Sequence, residues 1–141
     1  ISKLYETPSW GFDSDAFYNC ALVLHTFLPA NAVLTKILGV EKQLGRVRNS
    51  VSGYQSRIID IDLIAFNEEV IETEDLQVPH PLMQNRNFVL LPMLDLNLNW
   101  MHPVFHKKIG ELLEISPDLS DCTIVLLWLL KSPKILMPKQ F

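Results

Sequence analysis

A single α+β domain is what this sequence predicts, and three observations carry the expectation. Residues 58–66, IIDIDLIAF, are rich in β-branched and aromatic side chains, as strands are. Residues 29–44 instead put Val33, Leu34, Ile37, Leu38, Glu41 and Leu44 on or near one helical stripe. The chain has 141 residues, of which 48% are hydrophobic, enough for one domain, 1–141, with a sizeable core.

The elements follow in order. Residues 2–7 read as a strand stopped by Pro8, and Pro8 to Gly11 then Asp13 to Asp15 as a loop. Trp10 in that loop either plugs an edge of the core or walls a pocket for a flat ligand. Residues 17–28 read as a second strand. Phe17, Asn19, Ala21, Val23, His25 and Phe27 lie on one face. Asn19 is the unusual member: a half-buried carboxamide needs hydrogen-bond partners, either a heterocycle's ring amide or nearby loop backbone. His25 reads as an ordinary strand residue, since no further metal ligand is spaced with it.

Pro29 or Ala30 can open the helix of residues 29–44, and Gly45 suits the position just past its end. Glu41 breaks the apolar stripe. It is a rim residue or an anchor for an arginine across a cleft, and the arginines close behind it favour the anchor. Residues 46–57 are too polar and irregular for a core element. Their Gly53–Tyr54 tip suits a loop that closes over phosphates; the alternatives are an exposed basic hairpin or an RNA contact.

In the strand of residues 58–66, Ile59, Ile61 and Leu63 share one face and Asp60 and Asp62 the other. Their Cα atoms would lie about 6.6 Å apart, a spacing from which two carboxylates converge on one or two divalent cations. A solvated strand face is the bland alternative. Asp is a poor strand former, however, and two on one face repel. Arg46, Arg48, Arg57 and Arg86 are available to neutralise them or to hold anionic phosphates.

Residues 67–69 suggest a turn, 70–71 a short return strand, and Glu72, Glu74 and Asp75 a solvated cluster. In V-P-H-P (78–81) the prolines restrict the backbone around His80, which favours a placed imidazole able to donate to phosphate. Residues 82–96 are helical in tendency, with Pro92 breaking or restarting the helix; Arg86 and Phe88 follow His80 closely enough to share its cleft. Trp100, Met101 and Pro103 suggest an irregular crossing. Residues 107–115 form a short helix with Ile109, Leu112 and Leu113 inward, and 116–120 a loop. Residues 123–130 make a hydrophobic segment that needs cover, and 137–141 a loose tail. Met93, Met101 and Met137 are expected to pack in the core or on the surface.

The formal charge of −4 disfavours a general nucleic-acid coat without excluding a local phosphate site. Cys20 and Cys122 make no disulfide framework, and a reducing, cytoplasmic setting is expected. No secretory leader is visible, and the apolar run 124–130 is far short of a membrane span.

Taken in order, YETPSWG (5–11), FYN (17–19), E-x-x-L-G-R-x-R (41–48), SR-x-IDIDL (56–63), VPHP (78–81) and RNFVLLPM (86–93) resemble the 6-hydroxymethyl-7,8-dihydropterin pyrophosphokinase family over about residues 4–113. The resemblance implies a ferredoxin-like α+β sandwich with an antiparallel sheet. It implies transfer of diphosphate from ATP to the hydroxymethyl group of a reduced pterin, giving AMP, in folate biosynthesis. It implies Asp60 and Asp62 as ligands of two Mg²⁺ ions, with Arg46 and Arg57 assisting transfer. Arg48, His80 and Arg86 are implied for ATP, and Phe17 and Phe88 as rings on either side of the pterin. Asn19 is implied as the pterin amide recogniser, Thr7, Pro8 and Trp10 as pocket lining, and Glu41 as a cleft acid.

Family members carry a strand, a G-S-N or G-T-N loop and a helix before the position of Ser2, and residues 114–141 match weakly. The chain is therefore expected to be a fragment or processed product, poorly active alone and prone to associate through an open sheet edge, with residues 124–130 as possible cover. An inactive chain, or an RNA- or protein-binding module using the basic 46–57 loop, is the alternative.

Overall fold

The computed structural model describes residues 1–8, 16–46 and 58–125, in which helices and antiparallel strands are mixed as expected. Two small sheets form among the described residues. β1 (Tyr5–Thr7) lies between β2 (Phe17–Asn19) and β5 (Thr123–Ile124), antiparallel to both. β3 (Ile71–Glu72) pairs antiparallel with β4 (Gln77–Val78). The helices are α1 (Ala30–Gln43), α2 (Asn87–Asp95) and α3 (Ile109–Glu114), with a 3₁₀ turn at Met83–Asn85. No helix among the described residues is long and apolar enough to cross a membrane.

The expected 17–28 strand is laddered only over Phe17–Asn19. Its partner β1 is three residues long, and among the described residues Ser2 N–H to the Ala21 carbonyl (2.9 Å) and Ala21 N–H to Ser2 Oγ (2.8 Å) extend the pairing beyond it. His25 therefore lies outside any strand and is exposed. The 2–7 strand shortens likewise, because the Lys3 amide donates to Asp95 at 3.2 Å rather than to a neighbouring strand.

Residues 58–66 are not a laddered strand. The Ile61 amide donates to the Glu41 carboxylate (2.8 Å), and the Ile64 carbonyl accepts from His80 N–H (2.8 Å). These are a side chain and a distant loop rather than the rungs of one neighbour. The predicted alternation survives nonetheless. Ile59, Ile61 and Leu63 are half-buried while Ile58, Asp60 and Asp62 are exposed. Leu63 then packs on a core of Ala30, Leu76 and Val78, and Ile64 on a second core of Met83, Leu90, Met93, Ile109 and Leu112. Consecutive side chains thus enter two different clusters, which fixes this stretch between them.

The return strand pairs with β4, not with residues 58–66. Thr73 builds the hairpin turn: its hydroxyl donates to the Leu76 carbonyl and accepts from Leu76 N–H, both at 3.0 Å. The 67–69 turn forms, with Asn67 at φ 52° and Glu69 N–H bonded to the Phe66 carbonyl at 3.1 Å. Pro92 lies inside α2 instead of breaking it. The break falls at Arg86, whose extended φ −136°, ψ 104° separates the 3₁₀ turn from α2. Pro92 is fully buried, and its packing offsets the backbone hydrogen bond it cannot make. Asp118, from the 116–120 loop, satisfies the start of α2 by accepting Asn87 N–H at 2.7 Å.

As expected, Met93 packs in the core and Met101 lies at the surface, where it forms an isolated antiparallel bridge with Lys108. The tail and most of the 123–130 segment lie outside the described residues.

Candidate active site

Helix α1 ends in a way that aims one arginine. Gly45 takes φ 93°, its N–H bonds the Lys42 carbonyl (3.1 Å), and Arg46 N–H bonds the Glu41 carbonyl (3.0 Å). This is the Schellman closure that glycine permits, and it folds Arg46 back over the last turn. There the Arg46 Nη1 group donates to Glu41 Oε1 and also to Asp60 Oδ1. Glu41 is only 1% exposed, so the anchor reading, not the rim reading, describes its position.

Asp60 and Asp62 both lie on the exposed side of residues 58–66. Asp62 is crowded. Loss of solvent around its carboxyl, then the negative charge of Asp60, push its pKa above the usual carboxylate range, while His80, Arg86 and Arg46 pull it down. Those three basic residues are thereby part of one electrostatic neighbourhood with the carboxylate pair.

His80 is half-buried, and Nδ1 accepts the Leu82 amide at 3.2 Å, which leaves Nε2 as the protonated donor of the neutral ring. Desolvation, opposed by Asp62 and reinforced by Arg86, holds its pKa below the ordinary histidine value. The Val78–Pro79 bond before it is cis. The Arg86 guanidinium sits 5.6 Å from the centroid of the Phe88 ring, a cation–π contact. In β2, Asn19 Nδ2 donates to Thr7 Oγ1 of β1 at 2.8 Å. The two residues expected to meet a pterin are thus joined across one antiparallel pair, and α2 packs against both strands. Phe17 is half-buried beside Asn19, and Pro8 is exposed. Trp10, Arg48 and Arg57 lie outside the described residues.

A cavity of about 330 Å³ opens beside the β3–β4 hairpin, with His80, Gln77, His102 and Phe105 in its wall. His102 was not foreseen as a candidate. It is 3% exposed, and its Nδ1 accepts the amides of Val104 (3.2 Å) and Phe105 (3.3 Å). The His-Pro pair 102–103 repeats the His-Pro pair 80–81, and that repetition was its available signal.

The family of 7,8-dihydro-6-hydroxymethylpterin-pyrophosphokinase matches residues 1–98. This chain belongs to that family. A protein of Aquifex aeolicus named 2-amino-4-hydroxy-6-hydroxymethyldihydropteridine pyrophosphokinase is 39% identical over 112 residues, covering 79% of this chain and 69% of that protein. A protein of the same name from Porphyromonas gingivalis is 36% identical over 106 residues, 73% of this chain and 71% of its own length. The folic acid synthesis protein FOL1 of Dictyostelium discoideum is 43% identical over 106 residues. That match covers 74% of this chain and 16% of the Dictyostelium protein, so the chain spans a small part of that relative.

Proposed function

We propose that this pyrophosphokinase-family chain transfers diphosphate from ATP to the hydroxymethyl group of 6-hydroxymethyl-7,8-dihydropterin, releasing AMP, as a step of folate biosynthesis. The observation that carries the reading is the neighbourhood of Asp62: a second carboxylate, two arginines and a histidine act on one exposed acid. Diphosphate transfer needs that mixture, because negative charge must be neutralised on both sides of the group that moves.

Mg²⁺ fits the donor set. Two hard carboxylates on one side of an extended stretch suit a cation that fills its remaining positions with water and phosphate oxygens. Among the described residues no group of three or more His, Cys, Asp or Glu could hold a metal. Asp60 and Asp62 are the residues that would hold it, as two ions. Bound there, it would supply charge neutralisation on the phosphates.

The chain's own groups divide the remaining work. Arg46 and Arg57 stabilise charge on the moving group, and His80, through Nε2–H, donates to phosphate together with Arg86 and Arg48. Asn19 reads the pterin amide, Phe17 and Phe88 cover its faces, and Thr7, Pro8 and Trp10 line its pocket. The hydroxyl needs placement in line more than a protein base. The mixed α+β arrangement is proposed to be the ferredoxin-like sandwich, one domain over 1–141. A reducing, cytoplasmic setting suits the free thiols of Cys20 and Cys122. We include self-association through the exposed apolar residues Leu22, Leu24 and Phe27 that follow edge strand β2. A monomer at every concentration in sedimentation would remove that part.

Product analysis with ATP, Mg²⁺ and the reduced pterin tests the central reading. AMP with pterin diphosphate is expected; ADP as the product overturns diphosphate transfer.

A further inference from the structure

Glu41 is a buried acid on the apolar stripe of α1, and such a group is strongly unfavourable unless its charge is met. Two described donors meet it at one atom: Oε1 accepts the Ile61 amide at 2.8 Å and the Arg46 guanidinium. The same Arg46 nitrogen, Nη1, bridges on to Asp60. Exposure grades along this chain of groups. The side chains of Glu41, Arg46 and Asp60 are 2%, 11% and 45% exposed. One end is fixed in the core and the other stands at the surface, and the Arg46 backbone is held by the turn at Gly45.

We propose that Glu41 is a positioning residue: it shares with Asp60 the Arg46 guanidinium that stands in the place a divalent cation would take, and keeps Arg46 beside the site when a cation displaces it. Resting on the cation reading above, this assigns Asp60 a protein counter-ion in the cation-free chain. A cation shared by Asp60 and Asp62 must compete with a charge-assisted hydrogen bond. Once displaced, Arg46 does not swing into solvent, because Glu41 still holds it. Its donors are then available to the anionic oxygens that arrive with the cation. Glu41 therefore acts on the cation site through Arg46, without touching substrate or metal.

The experiment is a Mn²⁺ titration of the full chain, read by the loss of free-ion EPR signal, with no nucleotide present. Arg46→Gln is expected to tighten Mn²⁺ binding about tenfold, the scale of one charge-assisted hydrogen bond. Glu41→Gln keeps an acceptor for Ile61 N–H and leaves Arg46 with Asp60 as its anionic partner. It is expected to weaken Mn²⁺ binding about threefold in the natural chain, and not at all beside Arg46→Gln. An equal Glu41→Gln effect in both backgrounds would make Glu41 merely structural and overturn the inference. So would unchanged or weaker Mn²⁺ binding by Arg46→Gln. No Mn²⁺ binding by any of the chains overturns the cation reading itself.

Should Glu41→Gln fail to fold, nitrogen-15 NMR of the Arg46 side chain in the natural chain decides, with diamagnetic Mg²⁺ as probe. Its guanidinium signals are expected to shift on Mg²⁺ addition and stay restrained. Signals unmoved at saturating Mg²⁺ overturn displacement, and signals that collapse to those of a free arginine overturn the tether.

Discussion

Two acids of this chain, Asp62 and Asp95, have opposite electrostatic lives. Asp95, at the end of α2, accepts from Lys3 Nζ (2.8 Å), the Lys3 amide (3.2 Å) and the Tyr5 hydroxyl (2.8 Å). Partial burial works against its charge, but those donors outweigh it and hold the carboxyl below the usual range. Asp62 is shifted the other way, by desolvation and by Asp60. Where a carboxylate ties β1 to α2, the chain supplies its donors. Where a carboxylate is proposed to serve chemistry, the crowding is left for a ligand to relieve. The structural acid and the proposed site acid thus differ in how completely the protein itself meets their charge.

The sharpest way to break that comparison is to remove each acid. Asp60→Ala or Asp62→Ala should cost at least ~10²-fold in AMP release, the scale of one strong electrostatic contribution. Near-normal turnover would take them out of the site. Asp95→Ala should instead cost about 1–3 kcal/mol of stability, because the buried Tyr5 hydroxyl loses its acceptor. A urea midpoint unmoved by that change would show the clamp to be ornamental.

The pH dependence sharpens it further. Asp95 has a depressed pKa, so its contribution is present above the ordinary aspartate value near ~4 and drains away as pH falls through the folded value. Tyr5 is pushed up to about 12, by burial first and then by Asp95. Its contribution is full below the ordinary tyrosine value near ~10 and is lost as pH rises toward the folded one. Thermal unfolding across pH should show both flanks, and Asp95→Asn should flatten the acid one. A variant with the natural acid flank would place the acid sensitivity elsewhere.

The smallest expected effect is at Asn19, in β2 beside β1. Asn19→Ala removes one hydrogen bond to Thr7, worth about 0.5–1.5 kcal/mol. It should lower affinity for the reduced pterin more clearly than stability. Equal binding by calorimetry would return Asn19 to a purely structural role.

Much of this was legible in the residues. Helix α1 was readable from its stripe and Gly45, and the side of the 58–66 stretch that carries Asp60 and Asp62 from alternation alone. The acid at Glu41 read as an anchor because an arginine stood five residues on. The extent of β2 and the lack of a ladder at 58–66 were not readable. Strand pairing depends on what lies alongside, and a pattern of side chains says nothing of its neighbour. Pro92 misled for a related reason. A rule about backbone hydrogen bonds predicts a break, while burial between α2 and its surroundings decides whether the helix continues through it.

The sequence by itself determined the helices, the side of the chain on which the carboxylates stand and the family to which the chain belongs. These follow from periodicity, glycine conformation and ordered motifs, all local or linear properties. Only the tertiary structure decided that one guanidinium nitrogen joins Glu41 to Asp60, that Thr7 and Asn19 meet across β1 and β2, and that Leu63 and Ile64 enter different cores. Those are distances between residues far apart in the chain, and they are set by which apolar faces bury together.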